Sequence, residues 1–412
     1  MQHRQIRGLR AAAPVAVLAL ALTACGSDGE ADPATSAGSE ETTAATSTPT
    51  TSEAAAEAGS RLAVSYEGGV AVLDADTLEV VDEFDSEEFT RLNAAGDGRH
   101  VFVTTTAGFQ VLDTATPELT DVVLPAEAAG HVVRHGGKTV LFADGTGETT
   151  IFDTDALLAA DGALPESETW TAPEAHHGVS IVLEDGTLVT TVGDEESRSG
   201  AVALADEGTG DEIASSDQCP SIHGEGTAAG EAVVFGCEDG ALLFKDGAFE
   251  KLQAPDDYGR MGNAYVSETS PLVVGDYKTD PDAEGYLLDQ VALIDTEAAT
   301  LEPVSLPKGV EYTWRGVVRG PDDLAYLLGT DGAIHVLDPA TGELTRDFPV
   351  VEPWEGPADW QNPHPALIVH EGTAYVAEPA SNQVHAVDLA TGEVTASVEL
   401  DHEPNEMAVA LG

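Results

Sequence analysis

Three segments between residues 129 and 240 each open with histidine and continue into an apolar run that ends at a turn. The openings contain His131, the adjacent pair His176 and His177, and His223, in a chain with only 12 histidines. Imidazole nitrogens are ligands that zinc and other transition metals favour. If the segments are neighbouring repeats, their opening residues converge, and the pattern predicts a transition-metal site, with zinc as the first choice.

Other residues could contribute to such a site. Glu174 and Glu225 could bind a metal as carboxylates or could orient an imidazole ring. His402 is a candidate fourth ligand because it precedes the last apolar stretch of the chain, and His364 is a weaker candidate. The histidines inside later strands or at turns are predicted to be surface or cross-strand residues: His100, His335, His370 and His385.

The elements that must position these histidines repeat along residues 61–412. The period is about 40 to 50 residues, which is typical of β-propeller blades, and the repeats share an apolar run that ends in aspartate, as at Asp113 and Asp338. Short alternating runs with almost no helical periodicity argue against an α/β fold. We therefore predict an all-β fold, an eight-bladed β-propeller over residues 61–412, or a seven-bladed one if a boundary within 256–309 is wrong.

The two ends of this ring are incomplete on their own. Residues 61–88 lack an inner strand, whereas residues 406–412 form an extra apolar stretch. Pairing the C-terminal strand with the first unit would close the ring and remove a free strand edge. In a closed ring, residues just before the first strand of each blade surround one mouth of the central channel, so the histidines of the three openings would meet there.

The charge of the chain excludes one class of partner. There are 74 acidic residues against 17 basic ones, which gives a formal net charge of -57. This excess repels nucleic acid and anionic lipid, so nucleic-acid binding is excluded. Its ordinary interpretation is a solvated surface suited to secretion or salt, and a weaker one is a field that gathers cations. The protein is expected to be a monomer.

The first 25 residues have the pattern of a bacterial lipoprotein signal peptide. Arginines precede an apolar run that is too short to span a bilayer as a helix, and the run ends in Leu22 to Cys25, which resembles a lipobox. Cys25 would then carry the lipid, and the protein would be extracytoplasmic, with membrane contact through this anchor alone. Residues 26–60 are rich in Ser, Thr, Ala, Glu and Pro, which predicts a disordered tether.

Two cysteines remain beyond the tether, Cys219 and Cys237. An even number of cysteines in an exported chain predicts a disulfide bond. The alternative is a thiolate zinc site, which the oxidising compartment disfavours.

The histidine-containing openings, together with the segment from Cys219 to Cys237, resemble the AztD family of zinc metallochaperones, which serve zinc ABC importers. The resemblance covers essentially all of residues 61–412. It implies an eight-bladed β-propeller that binds Zn²⁺ and hands it directly to the solute-binding protein of the importer. It also implies a carrier and not an enzyme.

Carried over by motif, the resemblance implies that the zinc ligands are His131, His177 and His223, with His176 close to them. Members of that family also carry a mobile histidine-rich segment, whereas the connection at residues 113–118 contains no histidine. The sequence therefore gives no support to a second, flexible zinc-capturing site. Three imidazoles leave one coordination position of zinc open, so that a ligand of the partner can enter before those of the carrier leave.

Two other functions use the same residues. A propeller hydrolase or lyase could use the metal to activate water, and it would need a substrate pocket with a general base. A metal-free interaction scaffold would make the histidines incidental. The zinc content after purification without added metal separates this last function from the other two.

Overall fold

Eight β-sheets, each built around four antiparallel strands, follow one another in this computed structural model, which describes residues 60–160, 162–194 and 196–410. The predicted eight-bladed β-propeller is confirmed, and the seven-bladed alternative is wrong. The predicted signal peptide, the lipidated Cys25 and nearly all of the tether fall within residues 1–59, outside the described residues, and stay predictions. None of the helices in the described ranges is long and apolar enough to cross a membrane.

The strands of each blade run from the channel to the rim, and the C-terminal strand is the innermost strand of blade one. The strands of blades one to four are β1 (Arg61–Tyr66), β2 (Gly69–Asp74), β3 (Val80–Asp85), β4 (Leu92–Ala94), β5 (His100–Thr105), β6 (Gly108–Asp113), β7 (Glu118–Pro125), β8 (Ala129–His135), β9 (Lys138–Ala143), β10 (Glu148–Asp153), β11 (Glu168–Thr171), β12 (Ser180–Val182), β13 (Leu188–Gly193), β14 (Arg198–Leu204) and β15 (Glu212–Ser216).

The strands of blades five to eight, with the closing strand of blade one last, are β16 (His223–Ala228), β17 (Ala232–Cys237), β18 (Asp239–Lys245), β19 (Ala248–Gln253), β20 (Gly259–Arg260), β21 (Ala264–Tyr265), β22 (Leu272–Tyr277), β23 (Gln290–Asp295), β24 (Thr300–Ser305), β25 (Val317–Arg319), β26 (Ala325–Leu328), β27 (Ala333–Asp338), β28 (Glu343–Pro349), β29 (Ala366–His370), β30 (Thr373–Glu378), β31 (Gln383–Asp388), β32 (Val394–Glu399) and β33 (Met407–Val409). One helical turn, α1 (Ala156–Ala159), follows β10, and 3₁₀ turns lie at Asp206–Gly208, Trp314–Gly316 and Pro379–Ser381.

Burial follows the position of a strand in its blade. Middle strands pack between neighbouring blades and are buried on both faces, as in β17, where all six residues are buried. Outer strands mostly alternate between exposed and less exposed residues, as in β28. One apolar cluster joins Val133 of blade three, Ile181 of blade four and Phe235 of blade five. This packing sets the relative positions of the three blades that carry the histidines of interest.

The C-terminal strand completes blade one, as predicted from the sequence. β33 pairs antiparallel with β1 over three residues, Met407 to Val409. Just before it, the Glu406 carboxylate accepts from Arg315 of blade seven at 2.8 Å and from Arg91 of blade two at 3.3 Å. Backbone pairing and a partly buried ion-pair network therefore close the ring together.

The predicted disulfide bond links Cys219, in the loop before β16, to Cys237 at the end of β17. The two Cα atoms are 4.9 Å apart, and neither residue is accessible to solvent. The disulfide lies within the apolar cluster shared by blades three to five. The thiolate zinc site is therefore excluded.

Candidate metal centre

His131 lies at a β-bulge in the innermost strand of blade three. Ala129 pairs with Ala143 and Val132 pairs with Leu141, so two residues of β8 stand opposite one residue of β9. A bulge takes side chains out of the regular alternation of the strand and re-aims them. Here it directs the imidazole into the channel mouth, where it meets the histidines of the next two blades.

His223 begins β16, the innermost strand of blade five, and a second bulge follows it. Its Nδ1 donates to the carbonyl oxygen of Gly262 at 2.6 Å. Gly224 has a φ of +60°, and a Cβ there would lie 2.4 Å from the same carbonyl oxygen. Glycine is required at this position because no other residue allows both the backbone conformation and this close approach.

His177 lies in the connection between β11 and β12, and its ring is held by a residue of blade three. Its Nδ1 donates to Oδ2 of Asp144 at 2.5 Å, and Asp144 comes directly after β9. A Cβ on Gly130 would lie 2.3 Å from Oδ1 of Asp144. Glycine at 130 therefore gives the carboxylate the room it needs to reach the imidazole.

The three histidines converge at the channel mouth. The ring centroids of His131 and His177 are 5.2 Å apart, those of His131 and His223 are 5.5 Å apart, and those of His177 and His223 are 5.0 Å apart. One ligand nitrogen from each ring lies within 4.8 Å of the other two. On a tetrahedral zinc ion such nitrogens are roughly 3.3 Å apart. Small side-chain adjustments therefore suffice for the set to hold a metal.

Hydrogen bonds determine which nitrogen of two rings is free. The Gly262 carbonyl and the Asp144 carboxylate accept hydrogen bonds, so His223 and His177 carry a proton on Nδ1 and present the lone pair of Nε2. Burial is the main cause that lowers the pKa of His131 well below its ordinary value. Burial likewise lowers the pKa of His223 to about 4. The rings of His131 and His223 are thus neutral at pH 7, and the neutral imidazole is the form that binds a metal.

His176 was included in the predicted ligand set, and the structure does not bring it to the cluster. The ring is 1% exposed and packs edge-on against Phe142, with centroids 5.3 Å apart. Its Nδ1 donates to the carbonyl oxygen of Glu174 at 3.0 Å, and the hydroxyl of Thr191 donates to its Nε2 at 3.0 Å. Both nitrogens are therefore engaged, and this histidine holds the loop from which His177 projects.

The other candidate ligands also lie elsewhere. His402 stacks on the ring of Tyr66, with centroids 4.1 Å apart. His364 is 3% exposed and its Nδ1 contacts the carbonyl oxygen of Asn362. Glu174 contributes its backbone to His176, as described above, and its side chain is outside the cluster. In the described part of the chain, the three histidines are the one group of histidine, cysteine and acidic side chains that could share a metal.

Three of the histidines expected at the surface or across strands are buried. His100, His335 and His385 are each between 7% and 9% exposed. Each ring has a polar partner: His100 contacts Asp97, His335 contacts Asp331, and His385 contacts Ser397 on the neighbouring strand. These three histidines are held by local partners within their blades, and none of them belongs to the imidazole cluster.

A cavity of about 320 Å³ lies in the channel, lined by the innermost strands, and His131 forms part of its wall. Glu225, which follows the His223–Gly224 pair, lines the same cavity. Burial raises the pKa of Glu225 to about 7, an effect that Arg134 partly opposes. The cavity that His131 lines therefore also contains a carboxyl group whose pKa burial raises.

Comparison with solved structures identifies the fold. The chain resembles apo AztD from Citrobacter koseri with a TM-score of 0.70 and 20% identity, over 85% of this chain and 97% of that one. The fold is that of AztD. A second crystal structure of Citrobacter koseri AztD gives a TM-score of 0.67 at the same identity and coverage. No protein-family model matches the chain.

A more distant likeness is to the dihydro-heme d1 dehydrogenase NirN, with a TM-score of 0.55 and 12% identity, over 84% of this chain and 74% of that one. At these identities the comparisons establish the architecture alone. The assignment of a function depends on the site.

Sequence reasoning did not find Asp144. It stands in a turn after β9, far along the chain from His177, and the turn alone explains an aspartate at that position. One signal could have found it: Asp144 follows the second strand of blade three, and His177 precedes the first strand of the next blade. The two carboxylates considered from the sequence, Glu174 and Glu225, do not contact the three rings by any hydrogen bond.

Proposed function

We propose that this protein is an extracytoplasmic zinc carrier that passes Zn²⁺ to the solute-binding protein of a zinc ABC importer, and that a lipid on Cys25 anchors it to the membrane. The observation that carries this function is the convergence of His131, His177 and His223 at one mouth of the propeller. The likeness to AztD supports it. The donor set suits zinc because neutral imidazoles are among its preferred ligands.

The exposure of the site suits transfer. The side chain of His177 is 42% exposed, whereas His131 and His223 are partly buried. Three imidazoles leave one position of a tetrahedral zinc ion for a fourth ligand. A recipient can supply that ligand from the solvent side, and zinc then passes by ligand exchange without being released into solution.

Zinc binding is tested by single alanine substitutions of His131, His177 and His223. Each should lower zinc affinity by more than the 10- to 100-fold that is typical for losing a hydrogen-bond partner of a ligand. A competition titration against a chromophoric chelator measures this. His402→Ala is the matched control because that ring stacks on Tyr66 away from the cluster. Unchanged affinity in any of the three variants would remove that residue from the site.

Transfer is tested with the zinc-loaded protein and the metal-free solute-binding protein. Direct handover predicts a transfer rate that rises with recipient concentration and exceeds the rate of spontaneous zinc release. Spontaneous release is measured with a chelator kept from the carrier by a dialysis membrane. Equal rates would show that zinc passes through solution, which contradicts the carrier function.

A hydrolase is the second candidate, because Glu225 and His131 line the same cavity and Glu225 has its pKa raised to about 7. A carboxylate beside a metal could serve as a general base. Hydrolysis of 4-nitrophenyl acetate by the zinc-loaded protein, lost in Glu225→Gln, would favour this function. Unchanged hydrolysis in that variant would count against it.

A further inference from the structure

Two arginine side chains donate hydrogen bonds to the backbone next to the imidazole cluster. Arg198 begins β14 of blade four, and its Nη1 donates to the carbonyl oxygen of His177 at 3.4 Å. Arg260 lies in β20, and its Nη1 donates to the carbonyl oxygen of Ser221, two residues before His223, at 2.6 Å. Both side chains are partly buried. Each guanidinium is therefore tied to the backbone beside one of the three histidines.

Neither arginine forms an ion pair within the described residues, although the charge of Asp144 acts on Arg198. No carboxylate there lies within 4.0 Å of Arg198 or Arg260, whereas Arg91, at the same mouth, pairs with Glu406. The chain has only 17 basic residues against 74 acidic ones. Two neighbouring arginines with no ion-pair partner among the described residues are therefore available to bind an anion.

Their charge acts on the cluster. Arg198 donates to the backbone of His177 itself, and Arg260 donates to the backbone two residues before His223, so both positive charges lie next to the cluster. The same positive charges repel a divalent cation held by neutral imidazoles. The cluster itself contacts one carboxylate, that of Asp144. A metal bound there is therefore most stable when its fourth ligand is an anion.

We propose that Arg198 and Arg260 form a carboxylate-binding subsite beside the open coordination position of the cluster. One carboxylate oxygen takes the open position, and the other accepts hydrogen bonds from guanidinium, whose fork geometry matches a carboxylate. This inference rests on the proposed zinc site and names the chemistry of the incoming ligand. Its source is either a free carboxylic acid or an aspartate or glutamate side chain of the recipient.

The subsite is tested by the rate at which two chelators remove zinc. Nitrilotriacetate attacks through carboxylates, whereas 1,10-phenanthroline is neutral and attacks through nitrogen. Arg198→Gln should slow removal by nitrilotriacetate roughly tenfold more than removal by phenanthroline, the effect of losing a charged hydrogen bond. Arg198→Lys, which keeps the charge but loses the fork, should lie between. Arg346→Gln is the control because Arg346 lies on an outer strand of blade seven and donates to Ala390.

Equilibrium binding gives a second readout. Removing a positive charge near the metal should raise zinc affinity in Arg198→Gln when no carboxylate is present, the opposite of what loss of folding or of a ligand would do. Arg260→Gln should show the same pattern and keeps the test informative if one variant folds poorly. Equal slowing of both chelators, or an effect as large in Arg346→Gln, would overturn the subsite.

The source of the carboxylate follows from transfer to the solute-binding protein. If Arg198→Gln and added acetate both slow that transfer, the recipient supplies the carboxylate. If they slow only the removal of zinc by nitrilotriacetate and leave transfer unchanged, the subsite serves free acids. Failure of the wild-type protein to bind zinc would refute the proposed function itself, whereas normal zinc binding with no chelator selectivity would refute this inference alone.

Discussion

Replacing Asp144 by Asn should weaken zinc binding although Asp144 is not a ligand. The carboxylate contacts Nδ1 of His177 at 2.5 Å, and a metal on the far nitrogen of that ring would be roughly 6.5 Å from the negative charge. Across that distance, with an effective dielectric constant between about 40 and 80, a divalent cation is attracted by about 1.3 to 2.6 kcal/mol. Asn can still accept from Nδ1, so the ring keeps its tautomer and loses only this attraction.

The expected result is a loss of zinc affinity of about 10- to 100-fold, which is also typical of a ligand's hydrogen-bond partner. A competition titration at pH 7 measures it, with Asp153→Asn as the control because that carboxylate is 74% exposed and pairs with Lys138.

Gly130→Ala provides an independent route to the same perturbation, since its Cβ would occupy the place of the Asp144 carboxylate, 2.3 Å from Oδ1. It should weaken zinc binding at least as much, because it displaces both the charge and the hydrogen bond, and its effect should be smaller in the Asp144→Asn protein, where the charge attraction is already lost. Affinity within twofold of wild type in Asp144→Asn would refute the reasoning. Full additivity of the two substitutions would show that Gly130 acts on the site by another route.

Three further outcomes are expected. Replacing Cys219 and Cys237 by Ser should lower the free energy of unfolding by about 3 kcal/mol, measured by urea denaturation, because the bond closes a loop with a sequence separation of 18; intact mass showing two free thiols in the exported protein would contradict the bond. Burial lowers the pKa of His223 and His364 to about 4 in the native metal-free protein. Below about pH 6.5 these two histidines are therefore protonated in the unfolded chain but stay neutral in the native protein. The free energy of unfolding should then fall by about 1.4 kcal/mol per pH unit for each histidine between pH 6.5 and 4, with a smaller decline in His364→Gln. Cys25→Ser should release the protein from the membrane fraction or leave an uncleaved precursor, and unchanged fractionation would count against lipidation.

The sequence was sufficient for the ring and for most of the cluster, because both follow from repetition. Repeats place equivalent residues at equivalent positions, so histidines at three consecutive openings must approach one another once the ring closes. It could not separate His176 from His177. Adjacent residues of a connection point in different directions, and the choice depends on Thr191 and Phe142, which bind the ring of His176.

The rest depended on contacts between blades. The bulges at His131 and His223 are departures from strand pairing that composition does not reveal. Asp144 contacts a ring 33 residues away along the chain, and Arg198 and Arg260 come from different elements. Such pairs appear only when the angle between neighbouring blades is known, and interblade packing sets that angle.

The pairing of the first and last described strands in blade one has a mechanical consequence. Tension applied to the two ends loads the short pairing of β33 with β1, which spans three residues, before it reaches any other blade. The three blades that carry His131, His177 and His223 lie in a separate arc of the ring. Opening of the ring at blade one would therefore leave blades three to five, which share one apolar cluster, and their three histidines in place.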